Sequence, residues 1–257
     1  MIEKLKVTSV PYTNAVLLTH FLPPDLIQLD FQIPSEMAKS FAEGRHAVAL
    51  LPVFELFEHA HYRVIPGMCI GSTGAVKSVC LFYEGDLQKI KRVRLDASSR
   101  TSNALVQVVL EKFLGLHPEF VRDSEDFDAE LRIGDPALNG ESRFNQVLDL
   151  GEVWKKHTGK GFAYALWTTA DSQNLNGVAA VFKHALGQGQ KSADAIIDQL
   201  VKQKLFTKAV LDEYLKVNIH YDFDANLQAG LKLFYQYCFE LGLVKNPWEL
   251  KYYEPKH

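Results

Sequence analysis

Through the first half of the chain, strand-like runs alternate with short helical patterns, and this constrains the fold more than any other feature. The runs fall at residues 5–10, 26–33, 47–53, 76–83, 92–96, 119–121 and 130–133. Such alternation is the grammar of an α/β fold with a largely parallel sheet. Between the second and third runs the sequence predicts a helix that Ser35 caps, with Glu36 favouring its first turn, Met37 and Phe41 facing inward and Gly44 ending it. A second helix starts after Asp96-Ala97-Ser98-Ser99-Arg100-Thr101-Ser102 and runs to Gly115, with Leu105, Val109, Leu110 and Phe113 on its apolar face. From about Asp171 the pattern turns almost wholly helical. It closes on a helix over 225–241 whose stripe of Leu227, Leu231, Phe234, Tyr235, Cys238 and Leu241 reads as core.

The chain has 257 residues, enough for two lobes, and no internal repeat or low-complexity linker is visible. A second lobe is therefore inserted rather than appended. The turn at Glu84-Gly85-Asp86 and the apolar run 162–168 mark where it begins and ends. The expected division is 1–85 with 169–257 for one lobe and 86–168 for the other, with two crossings forming a hinge.

Several function classes lose support. The 28 basic and 31 acidic residues are interspersed, giving a net charge of −3 and no basic block for a nucleic-acid backbone. The longest apolar run, 47–54, is interrupted by Pro52 and far too short to cross a membrane. The N-terminus enters a strand-like run without a signal-peptide pattern, so a cytoplasmic location is expected. Cys69, Cys80 and Cys238 are scattered and read as buried reduced thiols, and His59 and His61 read as surface residues rather than metal ligands. No G-x-G-x-x-G follows the first strand, and there is no P-loop, G-x-S-x-G or H-E-x-x-H. The expectation is a site without cofactor or metal.

In α/β sheets, ligands bind beyond the carboxyl ends of strands, which singles out four clusters. Pro11-Tyr12-Thr13-Asn14 follows strand one, where Asn14 offers a donor and an acceptor or simply caps a turn. Gly71-Ser72-Thr73-Gly74-Ala75-Val76-Lys77-Ser78 is a hydroxyl-rich, glycine-spaced loop, suited to a carboxylate and equally to an ordinary turn. Asp96 to Ser102 joins a strand end to a helix start, gathering Ser98, Ser99, Arg100, Thr101 and Ser102 around free backbone N–H groups, as an anionic small molecule requires. Ile133-Gly134-Asp135-Pro136 ends a buried strand in a carboxylate that binds a ligand or caps the next helix.

Taken in order, these words resemble the chorismate dehydratases of the futalosine route to menaquinone. The resemblance runs from Val10-Pro11-Tyr12-Thr13-Asn14-Ala15 through Ala49-Leu50-Leu51-Pro52, Ile65-Pro66-Gly67-Met68, Gly74-Ala75-Val76-Lys77-Ser78-Val79 and Leu95-Asp96-Ala97-Ser98-Ser99-Arg100-Thr101-Ser102. It continues with Ile133-Gly134-Asp135-Pro136-Ala137-Leu138 and Asp149-Leu150-Gly151-Glu152-Val153-Trp154. Many relatives carry proline where Ala75 stands. The resemblance implies a two-lobed type II periplasmic-binding-protein-like fold with the ligand between the lobes. It also implies a hydro-lyase that converts chorismate to 3-[(1-carboxyvinyl)oxy]benzoate, and a homodimer is compatible with it. Asn14 and Ser78 would act on the substrate. Tyr12, Ser72, Thr73, Ser98, Ser99, Arg100, Thr101, Ser102 and Asp135 would hold it. Apart from Asp135, no matched motif supplies a general base, which leaves a route assisted by the substrate's own carboxylate. Two other readings share the fold: 1,4-dihydroxy-6-naphthoate synthase, and a solute-binding or sensor protein that closes on a small anion without converting it.

Overall fold

The structure, a computed structural model, describes residues 3–170, 175 and 177–254. The expected change of pattern at Asp171 and the first two residues of the N-terminus lie outside the described residues. Aliphatic and β-branched runs form strands β1 (Leu5–Ser9), β2 (Ile27–Phe31), β3 (Val48–Pro52), β4 (Tyr62–Ser72), β5 (Val79–Tyr83), β6 (Arg92–Arg94), β7 (Glu119–Val121), β8 (Ala129–Ile133), β9 (Gln146–Asp149), β10 (Phe162–Ala170) and β11 (His220–Asp222). The helices are α1 (Val16–Thr19), α2 (Pro34–Ala42), α3 (Phe54–Glu58), α4 (Arg100–Gln107), α5 (Gly134–Leu138), α6 (Leu150–Thr158), α7 (Val178–Lys191), α8 (Ala193–Lys202), α9 (Lys208–Glu213) and α10 (Ala225–Glu240). None of them is long and apolar enough to cross a membrane.

The strands form two sheets, in the orders β11-β4-β10-β3-β1-β2 and β7-β6-β8-β5-β9. Each sheet is the centre of one lobe. The expectation of a largely parallel sheet needs correcting. β1 is parallel to β2 and β3, and β6 to β7 and β8, but β10 runs antiparallel to β3 and β4, and β5 antiparallel to β8 and β9. The antiparallel strands are those that carry the chain between lobes, and a strand that returns across a hinge need not follow a crossover helix. Sheet membership also moves both crossings toward the N-terminus from the expected 86 and 168. β5 already belongs to the second sheet and β10 to the first, so the chain crosses at 73–78 and at 159–161.

Strand β4 has no counterpart among the seven expected runs. Pro66 and Gly67 interrupt its middle, and its pairing with β10 slips there, from Leu166 opposite Cys69 to Thr168 opposite Val64. A bulged strand with proline at the bulge reads as a turn in sequence. Helix α2 starts two residues early. Pro34 stands in its first turn and Ile33 precedes it, so Ser35 does not cap. Proline's missing N–H is no loss at that position. Helix α4 is capped by Ser99, whose side chain accepts from the Ser102 N–H, and beyond Gln107 it widens into a π-turn over Val108–Phe113.

The core gathers Trp154, Phe162, Trp167, Tyr214 and Phe234 at full burial. Phe162 and Phe234 meet at 4.8 Å between ring centroids, seating α10 on β10. Leu227, Leu231, Phe234 and Cys238 of α10 are buried as its stripe predicts, and all three cysteines are buried and free. Among the described residues, no group of His, Cys, Asp and Glu is arranged to hold a metal ion.

Candidate active site

The first crossing places one wall of the site. Asp149, which caps α6 by accepting from the Glu152 N–H at 3.0 Å, also accepts from the Val76 N–H at 3.1 Å and the Lys77 N–H at 2.7 Å. Lys77 is held at φ 64°, a left-handed conformation that side chains other than glycine rarely adopt. The carboxylate thus fixes the turn that delivers Ser78 to the start of β5, where the Ser78 carbonyl accepts from the Gly134 N–H at 2.8 Å. Gly134 itself has φ 64°, and a Cβ there would stand 2.9 Å from the Tyr12 ring, so the lobes meet through a position only glycine fits.

Between the lobes lies a cavity of about 530 Å³, mouth included. The first sheet contributes Tyr12 and Asn14 after β1, Leu50 and Pro52 of β3, Ile70 of β4 and Tyr164 of β10. The second contributes Ser78 and Val79, then Ser99, Thr101 and Ser102 from the start of α4, then Ile133 and Gly134. Of the expected site residues, Tyr12, Asn14, Ser78, Ser99, Thr101 and Ser102 therefore line one cavity from both lobes. Thr101 Oγ1 accepts from the Phe54 N–H at 3.1 Å, and Ser99 Oγ donates to Ser102 Oγ at 2.9 Å. Asn14 Oδ1 and Ser78 Oγ are buried with no hydrogen-bond partner.

The lining contains no Asp, Glu, His, Lys or Arg among the described residues. Its phenols stay neutral. Burial pushes Tyr164 far up, with the Asp149 carboxylate adding to the effect, and burial raises Tyr12 against the opposing Ser98 hydrogen bond. The cavity thus offers hydroxyls, one amide and the first turn of α4, whose leading N–H groups have no partner within their own helix. Such a set holds an anion through neutral donors and the positive end of a helix.

The other expected residues are placed differently. Ser72 sits one step behind the wall, its Oγ 3.2 Å from the Tyr164 hydroxyl, and Thr73 is exposed on the hinge. The Ser98 N–H and Oγ donate to Asp96 at 2.8 and 2.7 Å. Arg100 turns away from the cavity. Its guanidinium reaches Glu58 at 2.6 Å and Glu55 at 3.3 Å and stacks over the Phe54 ring at 4.8 Å. A paired carboxylate couple on α3 draws it there, and sequence spacing gave no sign of that pairing. Asp135 does not cap α5, which Ile133 precedes without a side-chain cap. Its carboxylate accepts from the Thr13 N–H at 3.0 Å and from Thr13 Oγ1 at 3.1 Å, and burial raises its pKa against both bonds. It lines a neighbouring cavity with Thr13, Phe31, Gln203 and Leu205, which shares only Val10 and Tyr12 with the first. Sequence reasoning missed Tyr164 and Asp149. Tyr164 falls in a run read only as the return of the chain, and strand alternation past Phe162 is the signal that could have found it.

The profile of the menaquinone biosynthesis family matches residues 5–240. Chorismate dehydratase of Thermus thermophilus is 24% identical over 248 residues, covering 87% of this chain and 91% of that protein. Among solved structures, protein AF1704 from Archaeoglobus fulgidus superposes with a TM-score of 0.74 at 15% identity, covering 94% of this chain and 98% of that one. The periplasmic aliphatic sulphonate binding protein SsuA of Escherichia coli gives 0.64 at 17% identity, covering 100% and 96%. At these identities the structural likenesses show the fold alone, a periplasmic-binding-protein fold.

Proposed function

The chain belongs to the menaquinone biosynthesis family, and on that premise we propose that it is a chorismate dehydratase working in the cytoplasm. The observation that carries the reading is the cavity itself: free of charged side chains in its lining, and lined from opposite lobes by Asn14 and Ser78, whose Oδ1 and Oγ are buried without a hydrogen-bond partner.

Chorismate would lose its C3 proton and C4 hydroxyl, giving 3-[(1-carboxyvinyl)oxy]benzoate and water. The C3–H electrons form the new ring double bond as the C4–O bond breaks, and the proton leaves with the hydroxide. Aromatisation drives the step, so positioning matters more than strong acids or bases. The start of α4, with Ser99, Thr101 and Ser102, suits one substrate carboxylate, and Asn14 and Ser78 suit the reacting edge of the ring. With no titrating side chain in the lining, the enolpyruvyl carboxylate is the base that takes the C3 proton. Asp135, engaged by Thr13 in the next cavity, is not required.

Incubation of the purified protein with chorismate, followed by ultraviolet absorbance and chromatography of the aromatic product, tests this. Conversion is expected, with Asn14→Ala and Ser78→Ala each slowing it about a hundredfold. Binding without conversion would sink the enzyme reading and favour a solute-binding protein. Full turnover by both variants would displace the reacting edge from these residues.

A further inference from the structure

Tyr164 lines the cavity from β10 and belongs to none of the four sequence clusters. Its hydroxyl lies 3.2 Å from Ser72 Oγ, and among the described residues this is the one hydrogen bond that either hydroxyl makes. Both side chains are buried, Ser72 behind the wall and Tyr164 in it. A Cβ at Gly151, in the first turn of α6, would stand 2.7 Å from the Tyr164 hydroxyl, 2.7 Å from the Gly74 carbonyl oxygen and 2.9 Å from Ser72 Oγ. The pair therefore sits at the hinge end of the cavity, where the first crossing and α6 close over it, and a glycine at 151 leaves it room.

Two hydroxyls carry two hydrogens, and the bond between them uses one. The other is a buried donor without an acceptor, which costs stability unless a ligand supplies one. If Tyr164 donated to Ser72, the idle hydrogen would stand on Ser72, which does not line the cavity. With Ser72 donating, the phenol hydrogen is the free one, on the residue that a ligand can touch. Burial and the Asp149 carboxylate hold the phenol's pKa far up, so it keeps that hydrogen throughout the neutral range. The lining holds no cation, and the start of α4 serves one carboxylate. A second carboxylate needs a neutral donor elsewhere in the wall, and a phenol that itself accepts a hydrogen bond is a strengthened one.

We propose that Tyr164 is a substrate-binding residue whose hydroxyl, accepting from Ser72, donates to a carboxylate oxygen of the ligand at the hinge end of the cavity. That the ligand is chorismate or its product rests on the dehydratase reading.

Tyr164→Phe keeps the ring and its packing and removes only the hydroxyl, whereas Ser72→Ala keeps the phenol and removes the group behind it. The full chain is titrated calorimetrically with the aromatic product, 3-[(1-carboxyvinyl)oxy]benzoate, so that binding is read without turnover. Tyr164→Phe is expected to raise the dissociation constant about tenfold or more, the worth of a hydrogen bond to a charged group. Ser72→Ala should raise it about threefold or less, since the phenol still donates. The double variant should bind no more weakly than Tyr164→Phe, because Ser72 acts through the phenol. A Tyr164→Phe variant that binds the product at least as tightly as Ser72→Ala overturns the proposal, for the pair would then only support the hinge. Losses that multiply in the double variant overturn it as well. A parent protein that binds the product but leaves chorismate unchanged sinks the dehydratase reading alone, and the same titrations still decide the role of Tyr164. A parent that does not bind the product overturns both.

Discussion

Thr13 and Asp135 lie 122 positions apart and meet across the lobes, the Thr13 N–H and hydroxyl both donating to one carboxylate. Asp135→Ala leaves a part-buried backbone N–H without its acceptor, and a loss of about 1–3 kcal/mol is expected in chemical denaturation. Asp135→Asn keeps an acceptor for that N–H and should lose much less. The pH dependence separates them further. Burial raises the Asp135 pKa in the folded protein, so between its ordinary value and the raised one the folded chain holds a proton that the unfolded chain has released. Stability then falls as pH rises through that window and levels off above it. In Asp135→Asn this component is absent, so the parent's thermal midpoint, measured relative to that variant from about pH 4 upward, should decline with rising pH. A flat difference would mean that the Thr13 bonds cancel the effect of burial, and a rising one that they outweigh it. That Asn14 and Ser78 line the cavity was legible in the sequence because Asn14 lies in the loop beyond the carboxyl end of β1 and Ser78 directly precedes β5. Arg100 was not, because Glu55 and Glu58 claim it from α3.

Helix α6 and the hinge strand share one carboxylate, and this sharing couples the shape of the site to an element outside it. Asp149→Ala removes the acceptor for the N–H groups of Glu152, Val76 and Lys77, and a destabilisation of about 2–4 kcal/mol follows from a lost cap plus two unpaired amides. Asp149→Ser separates the two duties. Serine still caps α6 but is too short to reach the hinge, so the denaturation midpoint should recover in part while turnover does not. If turnover recovers in step with stability, the hinge bonds do not position Ser78. Helix α10 is set just as closely on the second crossing. A Cβ at Gly230 would stand 2.0 Å from the Gly161 carbonyl oxygen, so Gly230→Ala must push the helix off β10, at about 1–3 kcal/mol. The amphipathic elements α4 and α10 were readable from periodicity, since each buries one clear stripe. β4 was hidden by Pro66 and Gly67, and the three residues of β11 are too few for any period to show.

At the scale of the molecule, the two lobes are drawn together on several sides of the cavity. Thr13 holds Asp135 on one side. On another, the Phe54 N–H donates to Thr101 Oγ1, and Arg100 bridges Glu55 and Glu58, so α3 of the first lobe grips the start of α4 in the second. Turn signals and the late helical pattern made an inserted lobe legible. The crossings themselves were not, because β5 and β10 read as continuations of their neighbours until their sheet partners are known. Glu55 is 7% exposed, and burial raises its pKa while the Arg100 guanidinium opposes that rise. Arg100 is itself 44% exposed, and water screens its share of the attraction. Removing it should therefore loosen closure without dismantling either lobe. With Arg100→Met the ligand-free protein is expected to scatter X-rays as a more open particle, and to return to the parent's radius of gyration once the aromatic product is bound. A closed state weakened by about 1 kcal/mol is populated about fivefold less relative to the open one. Substrate must then supply that closure, which raises KM by about the same factor and leaves kcat nearly unchanged. A fall in kcat at constant KM would instead put the guanidinium in contact with the reacting substrate, and Arg100 would return to the site from which its pairing with Glu55 and Glu58 removes it.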